Sequence, residues 1–229
     1  MEERLDTQTV SQTQDSRAVQ EFYDAFYEAG DFAHYSDAAY DSFFRALERF
    51  FPAYGNILDV GCGSGMQLCA LARVGYRSTG IDLSMKALEK AKNSAMQSTL
   101  LRANAMQLPF RVSSFDGAYT FGCSLLNTAS LAQIEAMIRE TLRVLRKGSW
   151  FIAVTRTDFS GSVQSGWYQL TSDELTRLQG EQKVRMNIFF THLRLFSWFG
   201  SLALSKGMSI FVRALVPKRR RLLVLAIKK

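Results

Sequence analysis

Cysteine is scarce in this sequence, and the residues present do not form a pattern that binds metal or makes disulfides. The three cysteines are Cys62, Cys69 and Cys123. They are odd in number, and no two of them have the spacing of the CxxC pair that is typical of zinc sites. We therefore expect no disulfide and no metal site. Free thiols of this kind are typical of a reducing compartment such as the cytoplasm.

A long uninterrupted apolar run is also absent. The longest apolar stretch, residues 186–204, contains His192, Arg194 and Gly200, and a charge inside a spanning helix costs about 2.5 to 3.5 kcal/mol. The first residues lack the apolar segment of a secretory signal. We therefore predict no transmembrane helix, and we expect a cytoplasmic location.

Positive charge is in excess, with a formal net charge of +7. Part of it is concentrated in residues 218–221 and 228–229. Such a cluster attracts phosphate groups on nucleic acid or anionic lipid, or it is a solvated turn and tail. No nucleic-acid-binding module is recognisable, so nucleic acid is not an expected partner. Peripheral membrane contact and the choice between monomer and homodimer stay open.

Hydrophobic periodicity predicts the organisation of the chain. Residues 1–15 lack apolar periodicity and are predicted to be a disordered tail, and two helical patterns follow over 16–29 and 37–51. From residue 56, short apolar runs alternate with amphipathic helices, as in βαβ units. The predicted strands of this part are 57–60, 78–81, 99–102, 117–121 and 149–155.

The last part of the sequence predicts a helix over about 191–206, ended by Gly207, and then two more strands. These strands, 208–216 and 222–228, flank a basic turn and are predicted to pair as an antiparallel hairpin. The predicted fold is therefore one α/β domain over residues 16–229. It contains a doubly wound, seven-stranded, mostly parallel sheet with an antiparallel last strand and helices on both faces.

The most informative motif follows the first of these strands. Asp59 ends the strand, and Gly61, Gly63 and Gly65 alternate in the turn that opens the next helix. Glycines in this place let the backbone turn tightly and approach a ligand, which the free N–H groups of the helix would face. A dinucleotide site would require GxGxxG, but Met66 occupies the position of its last glycine.

This acidic-x-Gly-x-Gly-x-Gly pattern resembles the first motif of class I, Rossmann-like S-adenosylmethionine-dependent methyltransferases, and the sequence is most similar to the type 11 group. The resemblance covers about residues 55–155 and implies S-adenosylmethionine as cofactor. It implies that Asp59 orients the amino group of the cofactor. Gly61, Cys62, Gly63 and Gly65 would lie against its methionine part.

Other residues match later motifs of the same family. Asp82, followed by Leu83, ends the second strand and resembles the acid that binds the ribose hydroxyls. Asn104 and Ala105 stand where the family has an acid followed by alanine at the adenine, and an amide oxygen can still accept a hydrogen bond there. Phe121 and Tyr23 complete the cofactor-binding residues that the resemblance implies.

The resemblance also divides the domain. Residues 16–52 would be an N-terminal helical lid, 55–156 the cofactor-binding core, 157–207 a substrate-side insertion and 208–229 the hairpin. His192 and Asp158, both after the fifth strand, are the candidate catalytic bases.

The sequence motifs do not identify the methyl acceptor. The end of the fourth strand lacks the Asn/Asp-Pro-Pro-aromatic sequence of enzymes that methylate base nitrogens. A small-molecule acceptor, with an apolar one favoured by the aromatic residues near 188–204, is the leading hypothesis. The alternatives are a lipid or quinone methyltransferase at a membrane surface, and a catalytically silent S-adenosylmethionine-binding protein.

Overall fold

Seven strands form one sheet in the structure, a computed structural model that describes residues 16–29, 37–123, 125–128, 130–156, 170–181, 185–216 and 221–229. The strands are β1 (Asn56–Val60), β2 (Arg77–Asp82), β3 (Thr99–Arg102), β4 (Gly117–Phe121), β5 (Trp150–Arg156), β6 (Arg185–Thr191) and β7 (Leu222–Lys228). Their order is β3-β2-β1-β4-β5-β7-β6. β1 to β5 pair in parallel, and β7 pairs antiparallel with both β5 and β6. The predicted fold class is confirmed.

Two helices precede β1, and helices then separate most of the consecutive strands, although β4 follows β3 without a helix between them. The helices are α1 (Ser16–Ala29), α2 (Asp37–Ala46), α3 (Met66–Arg73), α4 (Met85–Ser94), α5 (Leu125–Thr128), α6 (Leu131–Val144), α7 (Ser172–Glu181), α8 (Leu193–Phe199) and α9 (Lys206–Leu215). Short 3₁₀ segments follow α2 and α8, at Leu47–Arg49 and Gly200–Leu204. Within the ranges described above, no helix is long and apolar enough to cross a membrane.

The strand order reverses between β1 and β4, and this reversal locates the candidate site. β2 and β3 lie on one side of β1 in the sheet, whereas β4 and the later strands lie on its other side. In open α/β sheets the crevice at such a switch point, outside the carboxyl ends of the strands, is where ligands bind. The glycine turn after β1 lies at this crevice.

The two N-terminal helices have different roles in the structure, although both were predicted to belong to a lid. The side chains of Phe43 and Phe44 in α2 are fully buried. Phe43 packs edge-on against Phe121, and Phe44 packs edge-on against Tyr119, at ring-centroid distances of 5.6 and 5.0 Å. α2 is therefore part of the core that covers β4, whereas α1 lies over the glycine turn.

The predicted strand over residues 208–216 is wrong. These residues lie mostly in α9, and the sixth strand is β6, inside the segment predicted to be a substrate-side insertion. The Ser205 hydroxyl accepts a hydrogen bond from the Met208 N–H at 3.1 Å and caps α9. A short apolar run suits a buried strand and a helix about equally well, so periodicity could not separate the two.

The helix predicted over 191–206 is also divided differently. It consists of α8 and the 3₁₀ segment that follows, and Gly207 lies in the first turn of α9 instead of ending a helix. Arg49 donates to the carbonyl oxygens of Ser201 and Leu204, at 3.5 and 3.1 Å. These bonds satisfy carbonyl groups at the end of the 3₁₀ segment and fix it against the segment after α2.

Gly117 and Gly180 provide a matched test of core packing. A Cβ atom on Gly117 would lie 2.5 Å from Cδ1 of Phe51 and 3.0 Å from Cδ1 of Ile57, whereas a Cβ on Gly180 in α7 would meet nothing within 4 Å. Gly117→Ala is expected to lower the free energy of unfolding by about 1 to 3 kcal/mol through overpacking. Gly180→Ala is expected to leave it unchanged or raise it by up to about 1 kcal/mol. Chemical denaturation of both variants measures the difference, and equal stabilities would contradict the packing around β4.

Candidate active site

The glycine turn after β1 has the left-handed backbone that glycine favours. The φ angles of Gly61, Gly63 and Gly65 are +77°, +53° and +80°. The N–H groups of Gly61 and Cys62 both donate to the carbonyl oxygen of Ile81 in β2, at 2.9 and 2.8 Å. The turn is therefore fixed to the neighbouring strand before the chain enters α3.

The two loops at the switch point lie in contact with each other. A Cβ atom on Gly61 would be 3.0 Å from Sγ of Cys123, which follows β4. Cys62 is almost completely buried on the side of β2, and burial raises the pKa of its thiol. A side chain at Gly61 would therefore push apart the two loops that form the crevice.

Asp82 connects the second strand to the glycine turn. Its Oδ2 accepts a hydrogen bond from the Gly63 N–H at 2.9 Å, and its Oδ1 accepts one from the Ser84 N–H at 2.9 Å. Burial raises the pKa of Asp82, and these backbone hydrogen bonds act against that increase. The predicted ribose acid and the predicted methionine turn thus lie within hydrogen-bond distance.

Asp59 is buried beneath the turn and is held by a tyrosine. Tyr119 of β4 is its partner in the strand register, and the Tyr119 hydroxyl donates to Oδ2 of Asp59 at 2.5 Å. Burial is the main cause that raises the pKa of Asp59 from 3.8 to about 8; the bond from Tyr119 acts against this increase, and the nearby Asp82 adds to it. The neutral form of Asp59 is therefore favoured near neutral pH.

Helix α1 covers the turn through polar contacts. Oδ1 of Asp24 accepts hydrogen bonds from the Ser84 hydroxyl at 2.5 Å and the Lys86 N–H at 3.2 Å. The Tyr27 hydroxyl lies so close to Gly63 that it would overlap any Cβ there. Burial raises the pKa of Tyr27, and the carboxyl group of Asp82 raises it further.

Tyr23 lies one helical turn before Tyr27 on α1. Its ring packs edge-on against Phe22 and Phe26, at centroid distances of 5.1 and 6.3 Å. Tyr27 is the tyrosine that approaches the glycine turn. The cofactor contact of Tyr23 stays a prediction.

Asn104 and Ala105 follow β3, as predicted for the adenine side. Oδ1 of Asn104 accepts a hydrogen bond from the Met106 N–H at 2.9 Å, which makes a local turn. The oxygen predicted to accept from adenine is thus engaged once already, although an amide oxygen can accept two bonds. Ala105 is buried, and the carbonyl oxygen of Leu83 accepts from Arg102 at 3.3 Å.

Phe121, at the carboxyl end of β4, belongs to an aromatic cluster that we define as Tyr40, Phe43, Phe121 and Phe196. The Phe121 ring packs edge-on against Tyr40 and Phe43 at 5.6 Å, and Phe43 packs against Phe196 of α8 at 5.1 Å. Tyr40, Phe43 and Phe196 are buried in the core, and Phe121 is the partly exposed member of the cluster, at the carboxyl end of β4.

The candidate catalytic residues are not brought together with these groups. His192 follows β6, which lies four strands from β1, and strands about 4.8 Å apart place it roughly 19 Å away. His192 is the first residue before α8, and its Nδ1 accepts a hydrogen bond from the Arg194 N–H at 3.3 Å. Asp158 lies outside the described residues. A catalytic role for either residue stays a prediction.

Three residues of the site are not singled out by sequence patterns alone. Tyr119 could be found only by pairing β4 with β1, which places its side chain beside Asp59. Asp24 and Tyr27 form their contacts through the docking of α1, and no local signal in the sequence gives the position of that helix.

Comparison with known proteins identifies the domain. Residues 58–153 match the family model of the methyltransferase domain. These residues belong to a methyltransferase domain. All the motif residues discussed above for β1 to β4, from Asp59 to Phe121, lie inside the matched segment.

Similarity to relatives extends over part of their length. The chain is 38% identical over 101 residues to the O-methyltransferase resE of Aspergillus sclerotiorum, which covers 41% of this chain and 37% of that protein. It is 34% identical over 135 residues to the demethylmenaquinone methyltransferase of Symbiobacterium thermophilum, which covers 55% of this chain and 52% of that protein. The chain therefore aligns with about half or less of these relatives.

A solved structure supports the fold. A methyltransferase dependent on S-adenosylmethionine from Archaeoglobus fulgidus superposes with a TM-score of 0.62 at 12% identity, covering 84% of this chain and 95% of that one. At this identity the likeness concerns the fold alone.

The methyltransferase family uses S-adenosylmethionine, and the residues present fit this group. Glycine at positions 61 and 63 lets the backbone of the turn pass closely beneath Cys123 and Tyr27, where a Cβ would intrude, and two carboxyl groups, Asp59 and Asp82, flank the turn. Oxygen acceptors suit an amino group and ribose hydroxyls. The methyltransferase site thus offers acceptors at both ends of a nucleoside amino acid.

The contact between Gly63 and Tyr27 gives a testable consequence. Gly63→Ala is expected to destabilise the methyltransferase domain, because the new Cβ overlaps the Tyr27 hydroxyl in a left-handed backbone. Adding Tyr27→Phe removes the overlapping oxygen and should restore part of the loss. Thermal unfolding of the single and double variants measures this, with Gly148→Ala as the control for backbone strain in open space. A double variant no more stable than Gly63→Ala would contradict the docking of α1.

The raised pKa of Asp59 predicts a pH dependence of stability. A folded pKa of about 8 against an ordinary 3.8 means that the folded protein binds the extra proton. The free energy of unfolding should therefore fall as pH rises from 3.8 to about 8. In Asp59→Asn this fall should be shallower, because the titrating carboxyl group is removed. Denaturation at several pH values between about 5 and 8 measures the slopes. Asp173→Asn, on exposed α7, should keep the original slope; an unchanged slope in Asp59→Asn would refute the assignment.

Proposed function

We propose that this protein transfers the methyl group of S-adenosylmethionine to a small-molecule acceptor. The observation that carries the proposal is the meeting of the glycine turn, Asp59 and Asp82 at the switch point of the sheet. When bound, the cofactor supplies a methyl group activated by its sulfonium, and the protein supplies binding and orientation.

The residues of this chain would have distinct tasks in binding. Asp59, favoured as the neutral acid, would lose its proton when it meets the ammonium group of the cofactor, because an opposite charge lowers a carboxyl pKa. Asp82 would accept bonds from the ribose hydroxyls. Asn104 and Ala105 would lie at the adenine.

Shielding of the reacting atoms would come from α1. Tyr27 and Asp24 hold this helix over the turn, and exclusion of water strengthens the electrostatic contacts within such a site. Proximity is the other contribution to the reaction rate. Holding the acceptor and the methyl group in line can remove roughly 7 to 11 kcal/mol of the activation barrier for methyl transfer.

The acceptor side is favoured to be apolar. Phe121, the partly exposed member of the aromatic cluster, ends β4 at the carboxyl edge of the sheet, and the relatives described above are named for O-methylation and for demethylmenaquinone methylation. These names belong to those proteins. For this chain they support a small organic acceptor, and they keep a lipid or quinone as the second hypothesis.

A silent cofactor-binding protein is the competing function. The amide at Asn104, in place of the usual acid of the family, is the observation in its favour. A silent protein would bind the cofactor without transferring its methyl group.

Methyl transfer from radiolabelled S-adenosylmethionine to a metabolite extract separates these functions. The wild-type protein is expected to label an extractable small molecule. Asp82→Ala should weaken cofactor binding by more than about tenfold through loss of the ribose bonds and should lower labelling in proportion. Asp173→Ala, at an exposed position of α7 outside the matched segment 58–153, is the matched control and should label normally. Binding without any labelling would favour the silent protein, and equal labelling by Asp82→Ala would reject the ribose assignment.

A further inference from the structure

Exposed apolar side chains are concentrated in one short part of this chain. Eleven large hydrophobic residues are exposed among those that the structure describes, and six of them lie between residues 198 and 215. They are Trp198, Phe199, Leu202, Ile210, Phe211 and Leu215. A concentration of this kind on a protein surface is typical of a binding surface, whereas single exposed apolar residues are not.

Helix α9 has a polar anchor on its inner side. Ser209 and Val212 are buried, and the Ser209 hydroxyl accepts a hydrogen bond from the Phe190 N–H at 2.9 Å. Phe190 belongs to β6, the edge strand, whose outward N–H groups would otherwise lack partners in the sheet. The helix is therefore fixed along this edge with a defined side facing outward.

The outer side of α9 is apolar. Gly207, Ile210, Phe211 and Ala214 have the spacing i, i+3, i+4, i+7 and lie on one helix face. All four are exposed, with 70% of Ile210 and 50% of Phe211 accessible. We call this set the outer face of α9. It is the reverse of an ordinary surface helix, whose exposed side is polar.

The charge around the outer face has one sign. Residues 182–229 contain eleven lysines and arginines and no acidic residue, whereas residues 1–181 contain seventeen lysines and arginines and twenty-one acids, a formal charge of −4. Lys206 and Arg213 are exposed at the margin of the outer face. Arg213 also lies over the Phe190 ring at 5.3 Å, which fixes its position beside the helix.

We propose that the outer face of α9 docks on the surface of an anionic lipid bilayer, with the helix lying in the plane of the interface. An apolar helix face with basic residues beside it is the composition of interfacial helices. The ten residues of α9 are about half of what a spanning helix needs, so insertion across the bilayer is excluded for it. Anionic headgroups supply the negative charge that residues 182–229 do not contain.

The charges disfavour a second copy of this chain as the partner. A two-fold contact through the same face would bring Lys206 and Arg213 of one copy toward those of the other. No acid in residues 182–229 could compensate this repulsion. The proposal concerns this surface alone and does not depend on methyl transfer.

Flotation of the full-length protein with lipid vesicles tests the proposal. Vesicles of phosphatidylcholine mixed with phosphatidylglycerol should carry the protein upward, and vesicles of phosphatidylcholine alone should carry much less. The double variant Ile210→Ser/Phe211→Ser should lower binding to the anionic vesicles by at least about tenfold. Lys206→Glu should lower it as well, and added salt should weaken binding of the wild type.

The matched control removes apolar surface elsewhere. Met96→Ser/Val112→Ser changes two side chains that are 84% and 65% exposed and lie far along the chain from α9. Lys92→Glu is the corresponding charge control. Both should float like the wild type, and the thermal unfolding midpoint of every variant should stay within a few degrees of it.

Four results would overturn the proposal: absence of flotation at low salt, equal binding to neutral and anionic vesicles, an equal loss in the control variants, or no loss in Ile210→Ser/Phe211→Ser. Sedimentation equilibrium gives a further check. A dimer of the wild type that becomes a monomer in Ile210→Ser/Phe211→Ser would assign the face to a second copy and reject the lipid surface.

Discussion

The hydrogen bond from the Gly63 N–H to Asp82 is the interaction on which the candidate site depends. It joins the turn after β1 to the end of β2, so that two segments nineteen positions apart in the sequence act as one binding surface. Only a chain without a Cβ at Gly63 can form it here, because α1 lies directly above with the Tyr27 hydroxyl. The position of the Gly63 backbone is therefore constrained by the strand order, by the left-handed turn and by the docking of α1.

A consequence of this arrangement is that two carboxyl groups, Asp59 and Asp82, are buried near one another. Burial raises the pKa of both; Asp82 adds to the increase at Asp59, and Tyr119 and backbone N–H groups act against it. Strongly perturbed groups in a crevice are typical of functional sites. A ligand with an ammonium group and two adjacent hydroxyls would satisfy both acids, which gives the fold a physical reason to bind a nucleoside amino acid.

The sequence was sufficient for the central part of the fold and for the residues of the glycine turn. Short apolar runs, most of them separated by amphipathic helices of clear period, predicted β1 to β5. The same reasoning failed for β6, which lies in the segment predicted to be an insertion, and for α9, whose apolar run was predicted to be a strand. Which of the two segments becomes a strand depends on pairing with β7 and on the Ser205 cap, and these are decided by tertiary packing.

The residues of the candidate site divide in the same way, into those with a local signal in the sequence and those placed by tertiary packing. Asp59, Asp82 and the glycines carry local signals, since each ends a strand or opens a helix. Tyr119, Asp24 and Tyr27 have no such signal, because their positions arise from strand order and helix docking. His192 illustrates the opposite case: it lies at the carboxyl edge, as expected from its place after a strand, but at the far side of the sheet.

Isothermal titration calorimetry of the wild-type protein with S-adenosylhomocysteine tests the central claim most directly, because this demethylated product retains the amino acid, the ribose and the adenine. We expect saturable heat with this compound and none with NAD⁺, whose diphosphate would need a glycine where Met66 stands. Absence of heat with S-adenosylhomocysteine, or binding of NAD⁺ in its place, would contradict the claim that the turn after Asp59 is shaped for a nucleoside amino acid.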